Sequence, residues 1–224
     1  METHDNADRV LLINKPFEWT SFDVVNKLRY RLKIKKIGHA GTLDPLATGL
    51  LIICTGKMTK RIGEFMGLEK EYTGTFIAGK ITPSHDLETD VTEERDISGL
   101  TDDRIREATN ALTGSILQLP PMHSAIKVGG KRAYQFARRG QEIELKHRQV
   151  EITAFDITRI QLPEISFRIV CSKGTYIRSI ARDFGDALGV GAYLTGLCRT
   201  RIGDFRLENA LTIDEISPRE NPGK

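Results

Sequence analysis

The residue whose setting best suits chemistry is Asp44, which lies in the glycine-rich stretch from Gly38 to Gly49. Glycines on both sides of this carboxylate allow another molecule to approach the main chain closely. Pro45 fixes its own φ and disfavours a helical conformation at Asp44, so local chemistry partly sets the direction of the carboxylate. Spacing alone favours a plain turn, in which Asp44 accepts hydrogen bonds from nearby backbone N–H groups. A catalytic carboxylate is the alternative.

The elements that would position Asp44 are predicted from hydrophobic periodicity. An apolar run of strand length, residues 50–54, follows the glycine-rich stretch directly. A helix is predicted before it, with Thr20 or Ser21 as the N-cap. In all, strands are predicted for residues 10–13, 50–54, 70–79, 150–160 and 165–171. Helices are predicted for residues 22–32, 101–114 and 177–188, with a short one at 212–216. Residues 81–99 are predicted to form an exposed polar connection.

Composition describes an ordinary globular protein rather than a membrane protein. The chain has 224 residues, of which 39% are hydrophobic and 28% charged, and it is long enough to bury a sizeable core. No apolar run approaches the ~20 residues that span a bilayer. The N-terminal residues 1–9 lack the basic and apolar regions of a secretory signal. Three widely spaced cysteines are typical of reduced thiols in a cytoplasmic protein.

The distribution of positive charge is more informative than the net charge of +3. Each basic cluster could be a solvated face, but several together indicate a surface suited to phosphates. The clusters are Arg29, Arg31, Lys33, Lys35 and Lys36; Lys131, Arg132, Arg138 and Arg139; and Arg199, Arg201 and Arg206. The pair Gly56-Lys57 is not a P-loop, because Leu51 and Met58 stand where a P-loop needs Gly and Ser or Thr.

Several segments resemble the TruB family, the pseudouridine synthases that modify the uridine of the tRNA T loop. The sequence from Gly38 to Gly49 is similar to the catalytic-aspartate motif of that family. Further similar segments follow in the same order as in the family. Glu18 stands where the family usually has Gly, and Thr82, Asp86 and Asp90 match the family's pattern only loosely. These segments are Asn14 to Ser21, Lys70 to Gly74, the basic excursion at about residues 120–150 called the thumb, Lys173 to Arg178, and Leu194 to Gly203.

The resemblance implies roles for particular residues. It assigns catalysis to Asp44, Tyr72 and Arg178, and contact with the target nucleotide to His39, Tyr72, Tyr176 and Leu197. In the family the arginine pairs with the aspartate, the strand tyrosine packs on the base, and the histidine stacks in the position that the base vacates. A cation in the first turn of a helix is mildly unfavourable, which independently indicates a specific partner for Arg178. Without the resemblance, Tyr72 would be an ordinary core aromatic and His39 an exposed loop residue.

The resemblance also implies the fold and the activity. The expected fold is mixed α/β (α+β), a pseudouridine synthase catalytic domain with a central mixed or antiparallel sheet, flanking helices and a thumb-like loop insertion. The domain would cover residues 1–216, with a tail at 217–224 and no C-terminal PUA domain. The basic residues of the thumb, Lys131, Arg132, Arg138 and Arg139, would contact the RNA backbone.

The expected reaction isomerises the T-loop uridine (position 55) of tRNA to pseudouridine, with Asp44 as nucleophile after base flipping. We expect no metal, no cofactor and no membrane association, and a cytoplasmic monomer that binds the T-stem-loop. The five histidines are scattered without metal-ligand spacing. A glycoside hydrolase would need a second carboxylate across the scissile bond, and only Asp44 has a suitable setting. An RNA-binding module or tRNA chaperone would use the same basic clusters without catalysis.

Overall fold

The computed structural model describes residues 8–122, 124, 127–128, 130–137, 141 and 143–217. Within these residues the chain forms both strands and helices. The strands are β1 (Val10–Lys15), β2 (Ile37–Ala40), β3 (Thr48–Thr55), β4 (Lys70–Ala78), β5 (Lys80–Ile81), β6 (Glu93–Glu94), β7 (Gly114–Gln118), β8 (Lys127–Val128), β9 (Lys131–Arg132), β10 (Arg148–Gln161), β11 (Glu164–Cys171), β12 (Ala192–Ile202) and β13 (Phe205–Arg206). The α-helices are α1 (Ser21–Leu32), α2 (Ile62–Gly67), α3 (Asp102–Asn110), α4 (Ala133–Ala137) and α5 (Ile177–Leu188), with short 3-10 helices at Gly56–Arg61 and Leu207–Asn209.

The strands confirm the predicted mixed α/β class. Nine of those in the described residues belong to one mostly antiparallel sheet. The chain divides into two compact units: the first comprises Met1–Tyr72 and Leu197–Lys224, and the second comprises Thr73–Gly196. Strands β4 and β12 each contain residues of both units.

Strand β3 is the centre of the first unit, because every residue after Thr48 in it is buried. Strand β1 pairs with it antiparallel along its length, β2 pairs antiparallel with its second half, and the last part of β12 pairs parallel with its start. A strand buried on both faces reads as a continuous apolar run, as predicted for residues 50–54. On one face β3 packs against α1 through Leu51 and Ile53; on the other, Leu50, Ile52 and Cys54 join Phe65 and Ile202.

Helix α1 begins with a capping box. The backbone N–H of Asp23 donates to the Thr20 hydroxyl at 3.0 Å, and the Asp23 carboxylate accepts from the Thr20 N–H at 2.9 Å. Thr20 is therefore the N-cap, one of the two predicted alternatives. Ser21 is left available for a different contact, which is described below with the Asp44 loop.

The second unit is built on the antiparallel strands β7, β10 and β11. Its core is aromatic: Phe76 of β4 stacks on Phe167 of β11 with ring centroids 4.1 Å apart and lies 5.3 Å from Phe184 of α5. Thr101 caps α3 by accepting from the Arg104 N–H at 3.3 Å. Within the excursion predicted as the thumb, β8 and β9 form a short antiparallel pair.

Several sequence predictions were wrong in detail. Helix α3 ends at Asn110 rather than Gly114, which instead begins β7 with a φ of 89°. Residues 212–216 form a turn rather than a helix, although the Glu215 carboxylate accepts from the Thr212 N–H at 2.7 Å as a capping residue would. The stretch 81–99 is not wholly exposed. It contributes Thr82, Ser84 and Asp86 to the buried interior.

Strand β12 was not predicted at all, although it carries residues of the candidate site. No helix in the described part of the chain is long and apolar enough to cross a membrane.

Candidate active site

Asp44 lies in the loop of residues 41–47, between β2 and β3. A tight turn forms at the carboxylate, because the Ala47 N–H donates to the Asp44 carbonyl at 3.1 Å. The buried hydroxyl of Ser21 holds the residue before it, accepting from the Leu43 N–H at 2.8 Å and donating to the Leu43 carbonyl at 3.2 Å. The start of α1 therefore fixes the backbone of the Asp44 loop from one side.

Arg199 of β12 joins the start of the same loop to β3, the strand that follows it. Its side chain is 1% exposed. Its Nε donates to the Leu50 carbonyl at 2.8 Å, and its Nη2 donates to the Gly41 carbonyl at 3.1 Å. A guanidinium can join two separated carbonyls in this way because its donors diverge from a rigid plane. Gly49 permits the close approach of β12, since a Cβ there would collide with backbone atoms of Arg199.

Lys15, at the end of β1, supports the loop from a third direction. This lysine is 0% exposed, and its Nζ donates to the carbonyls of Pro16, Trp19 and Pro45 at 2.9, 2.5 and 3.2 Å. Burial lowers its pKa to about 8, partly opposed by the charge of Asp44. Lys15 is thus a structural cation that fixes the residue after Asp44.

His39 lies on β2, opposite Ile53 of β3 and five residues before Asp44. Burial lowers the pKa of the imidazole, and the positive charge of Arg199 lowers it further. Both effects favour the neutral form of the ring. It is also partly buried rather than the exposed bystander that a lone loop histidine would be.

Tyr72 and Leu197 belong to the same unit as Asp44 and His39. Tyr72 is buried in β4, and its neighbour Glu71 accepts from the Thr200 hydroxyl of β12 at 2.8 Å. The Leu197 carbonyl, also on β12, accepts from the hydroxyl of Thr48 at 3.4 Å, at the point where β3 leaves the Asp44 loop. The short segment from Leu197 to Thr200 therefore links Tyr72 to the loop.

Arg178 and Tyr176 lie in the second unit, at the start of α5. Arg178 is 4% exposed; its Nε lies 3.4 Å from the Asp86 carboxylate, and its Nη1 donates to the Ser84 carbonyl at 3.5 Å. A buried partner for Arg178 agrees with the argument from the helix dipole. Sequence reasoning missed Asp86 as that partner, and the predicted pairing of Arg178 with Asp44 stays a prediction.

The backbone of Tyr176 is fixed by one side chain. The Tyr176 N–H donates to Gln118 Oε1 at 2.8 Å, and Gln118 Nε2 donates to the Tyr176 carbonyl at 3.1 Å. The guanidinium of Arg148 lies 5.1 Å from the centroid of the Tyr176 ring. Such a cation over an aromatic face is favourable by about 0.5–1 kcal/mol at a partly exposed site.

The basic clusters differ in their structural roles. The C-terminal cluster is not an open phosphate surface, because Arg199 is buried and Arg201 pairs with Glu69 at 2.8 Å. In the thumb, Lys131 and Arg132 lie on β9, whereas Arg138 and Arg139 lie outside the described residues. No group of three or more His, Cys, Asp or Glu side chains suited to a metal ion occurs among the residues that the structure describes.

Solved structures of other proteins have a similar fold. The chain superposes with a TM-score of 0.72 and 29% identity on a chain of a Cbf5–Nop10–Gar1 complex, covering 92% of this chain and 52% of that one. A second match, with a TM-score of 0.70 and 26% identity, is an H/ACA ribonucleoprotein bound to a substrate RNA containing 2′-deoxyuridine, covering 92% and 51%. The chain thus spans about half the length of these structural relatives.

Sequence comparison identifies the family. Residues 29–177 match the model of the TruB family pseudouridylate synthase (N terminal domain). A tRNA pseudouridine synthase B of Flavobacterium johnsoniae is 55% identical over 212 residues, covering 92% of this chain and 93% of that protein. The protein of the same name from Phocaeicola vulgatus is 53% identical over 213 residues, covering 92% and 91%. The chain belongs to the TruB family of pseudouridylate synthases.

Proposed function

We propose that this protein is a tRNA pseudouridine synthase that isomerises the T-loop uridine at position 55. The observation that carries the proposal is the Asp44 loop, whose backbone on both sides of the carboxylate-bearing residue is held by the buried side chains of Ser21, Lys15 and Arg199. Family membership and the 55% identity to a tRNA pseudouridine synthase B support the same activity. A carboxylate on a fixed backbone suits nucleophilic catalysis, because its position is set before the substrate binds.

The reaction is balanced within the substrate. The N1–C1′ bond of the uridine breaks, the uracil rotates, and a C5–C1′ bond forms. The proton on C5 is lost and N1 takes up a proton, so the product is an isomer of the substrate. Asp44 acts as the nucleophile, and the bond that its carboxylate forms to the nucleotide breaks again before the product leaves. Arg178 balances the charge of the carboxylate. The target nucleotide first leaves the T-loop stack, which costs a few kcal/mol.

The remaining site residues contact the flipped base or its neighbours. Tyr72 packs on the uracil, and Tyr176 and Leu197 line the pocket. A neutral imidazole can stack on a base without the free-energy cost of removing a charge from water. The lowered pKa of His39 therefore suits the role of filling the vacated position.

We further propose that residues 1–216 act as one catalytic domain and that a cytoplasmic monomer recognises the T-stem-loop. The proposed backbone contacts come from the thumb basics Lys131, Arg132, Arg138 and Arg139. Replacing both Lys131 and Arg132 with Ala should reduce the salt slope of T-arm binding (the slope of log affinity against log salt concentration) by about one to two units. Each lost phosphate contact means that one counterion fewer is released on binding. The matched control replaces the exposed pair Lys57 and Lys60 with Ala. An unchanged slope in the thumb variant would identify the thumb as a solvated face.

The direct test of the proposed function is to incubate the protein with unmodified tRNA transcript and to map pseudouridine at single-nucleotide resolution. We expect one modified position, the T-loop uridine 55, and the same product from an isolated T-arm hairpin. A transcript with cytidine at that position is the control and should remain unmodified. Tight binding of the tRNA without pseudouridine would instead support the chaperone function.

A further inference from the structure

Helix α1 presents an exposed stripe of aromatic and basic side chains. Phe22 is 58% exposed and Tyr30 is 86% exposed, both unusual for large apolar rings. Asn26 and Arg29 lie four and seven positions after Phe22, so these side chains follow one face of the helix, with Tyr30 at its edge. Lys33 is the exposed C-cap residue, which follows the last helical residue in a left-handed conformation. We call this set the α1 stripe: Phe22, Asn26, Arg29, Tyr30 and Lys33.

Three members of the α1 stripe contact one another. The Arg29 guanidinium lies 5.9 Å from the centroid of the Phe22 ring, and its Nη1 donates to Asn26 Oδ1 at 2.6 Å. Two weak contacts thus hold the arginine over the aromatic ring while leaving other N–H donors of the guanidinium available. A fixed guanidinium beside an exposed ring can take a phosphate and a stacked base at neighbouring positions.

The α1 stripe starts beside the Asp44 loop. Phe22 follows Ser21, whose hydroxyl is bound to the backbone of Leu43, directly before Asp44. From Phe22 to its last residue, Leu32, the helix advances by roughly 15 Å, at ~1.5 Å per residue. A strand of RNA whose target nucleotide lies at Asp44 therefore has the stripe as a path leading away from the loop.

Charge around the α1 stripe favours a polyanion. Lys35 and Lys36, which follow the helix, are also exposed. The nearest acid on the helix, Asp23, already accepts from the N–H and hydroxyl of Thr20 at 2.9 and 2.6 Å. Arg31 is not part of the surface, since it binds the Asp214 carbonyl at 2.7 Å.

We propose that the α1 stripe binds unpaired RNA next to the target nucleotide, with Arg29 and Lys33 on phosphates and with Phe22 and Tyr30 stacked on bases. This inference rests on the proposed function, because it takes the RNA to be the one whose uridine reaches Asp44. It adds a second contact surface to the thumb. Aromatic stacking tolerates any base, so the stripe contributes affinity and register rather than sequence preference.

The test measures binding of a T-arm hairpin in the Asp44→Asn background, so that the RNA is not converted. Lys33→Gln should weaken binding and lower the salt slope by about 0.7–0.9, the value for one phosphate contact. Lys27→Gln is the matched control: it removes the same charge from an exposed lysine of the same helix, outside the stripe. Equal effects of the two substitutions would refute a specific role for Lys33.

The aromatic contacts are tested separately. Tyr30→Ala and Phe22→Ala should each weaken binding by about fivefold or more, while Tyr30→Phe should bind as the parent does, because stacking needs the ring and not the hydroxyl. These positions are exposed, so urea unfolding should be unchanged within error. Unchanged hairpin binding by both Ala variants would overturn the proposal.

Failure of this inference and failure of the proposed function give different results. Pseudouridine formation by the unsubstituted protein, with no loss of binding in the stripe variants, would refute the α1 stripe alone. Absence of pseudouridine, with the predicted losses of binding, would leave the stripe as an RNA surface and refute the proposed enzyme.

Discussion

Arg199→Lys is the substitution that most sharply tests how the Asp44 loop is held. The arginine is buried and donates to two carbonyls, that of Gly41 at the start of the loop and that of Leu50 in β3, the strand that follows the loop. A lysine retains the charge but carries its donors on a single nitrogen, which cannot reproduce the divergent geometry of the guanidinium. We expect at least one of the two charge-assisted bonds to be lost, at about 1.5–3 kcal/mol of unfolding free energy.

The catalytic effect should exceed the effect on binding. A loop no longer fixed at one end can displace the Asp44 carboxylate, and a displacement of ~1 Å can cost about 100-fold in rate. Binding of the T-arm depends mainly on phosphate contacts and should change by less than about threefold. The assay is single-turnover pseudouridine formation, with affinity measured by anisotropy on the same hairpin.

Arg201→Lys is the matched control, because Arg201 lies two residues further along the same strand. Its guanidinium pairs with Glu69 at 2.8 Å and donates to the Gly203 carbonyl at 3.0 Å, with no hydrogen bond to the Asp44 loop. The single-turnover rate of Arg201→Lys should stay within about threefold of the parent rate, because a partly exposed ion pair contributes little. If Arg199→Lys lost stability but kept its rate, or if both variants slowed equally, the positioning role would be refuted.

Three other substitutions test separate parts of the structure. Gly49→Ala should destabilise the fold by more than about 2 kcal/mol in urea unfolding, because φ is +99° and a Cβ would meet Arg199. Gly63→Ala on α2 is the control: a Cβ there has open space, so the change should be neutral or slightly stabilising. Equal stabilities of the two variants would contradict this reasoning. The pKa of Lys15 is lowered from 10.5 to about 8 in the folded protein. Between these pH values the unfolded chain binds one more proton at Lys15 than the folded protein does, so the free energy of unfolding rises with pH through that window. Lys15→Met should therefore flatten the pH dependence of unfolding between pH 8 and 10.5, and an unaltered slope would show that the lysine is not perturbed. Arg178→Ala should lower the single-turnover rate by about 100-fold with little change in affinity, and a loss confined to affinity would reassign Arg178 to RNA binding.

The sequence was sufficient for the elements with a clear period or a clear cap. The apolar run after Asp44 predicted β3, and Thr20 and Thr101 marked the starts of α1 and α3 as the structure has them. The predicted ends of the helices were less accurate. The turn at 212–216 has the hydrogen bonds of a capping residue, but they are local bonds that fit a turn as well as a helix.

The supports of the Asp44 loop could not be predicted from periodicity. Lys15 and Arg199 are charged residues that the pattern places on a surface, yet both are buried, and each donates to a backbone carbonyl of the distant Asp44 loop. The same holds for Asp86, which sits in a polar stretch but lies against Arg178. Such contacts join residues far apart in the chain, and only the tertiary structure brings them together.

The most direct measurement of whether Asp44 is the catalytic carboxylate compares the parent with Asp44→Asn in two assays on one T-arm hairpin. Asparagine has nearly the same shape, so the loop contacts of Ser21, Lys15 and Arg199 with the backbone are retained. Single-turnover pseudouridine formation should fall by at least about 1,000-fold. Affinity should remain within about tenfold, because phosphate contacts dominate it. Near-normal turnover by Asp44→Asn would contradict the proposed mechanism.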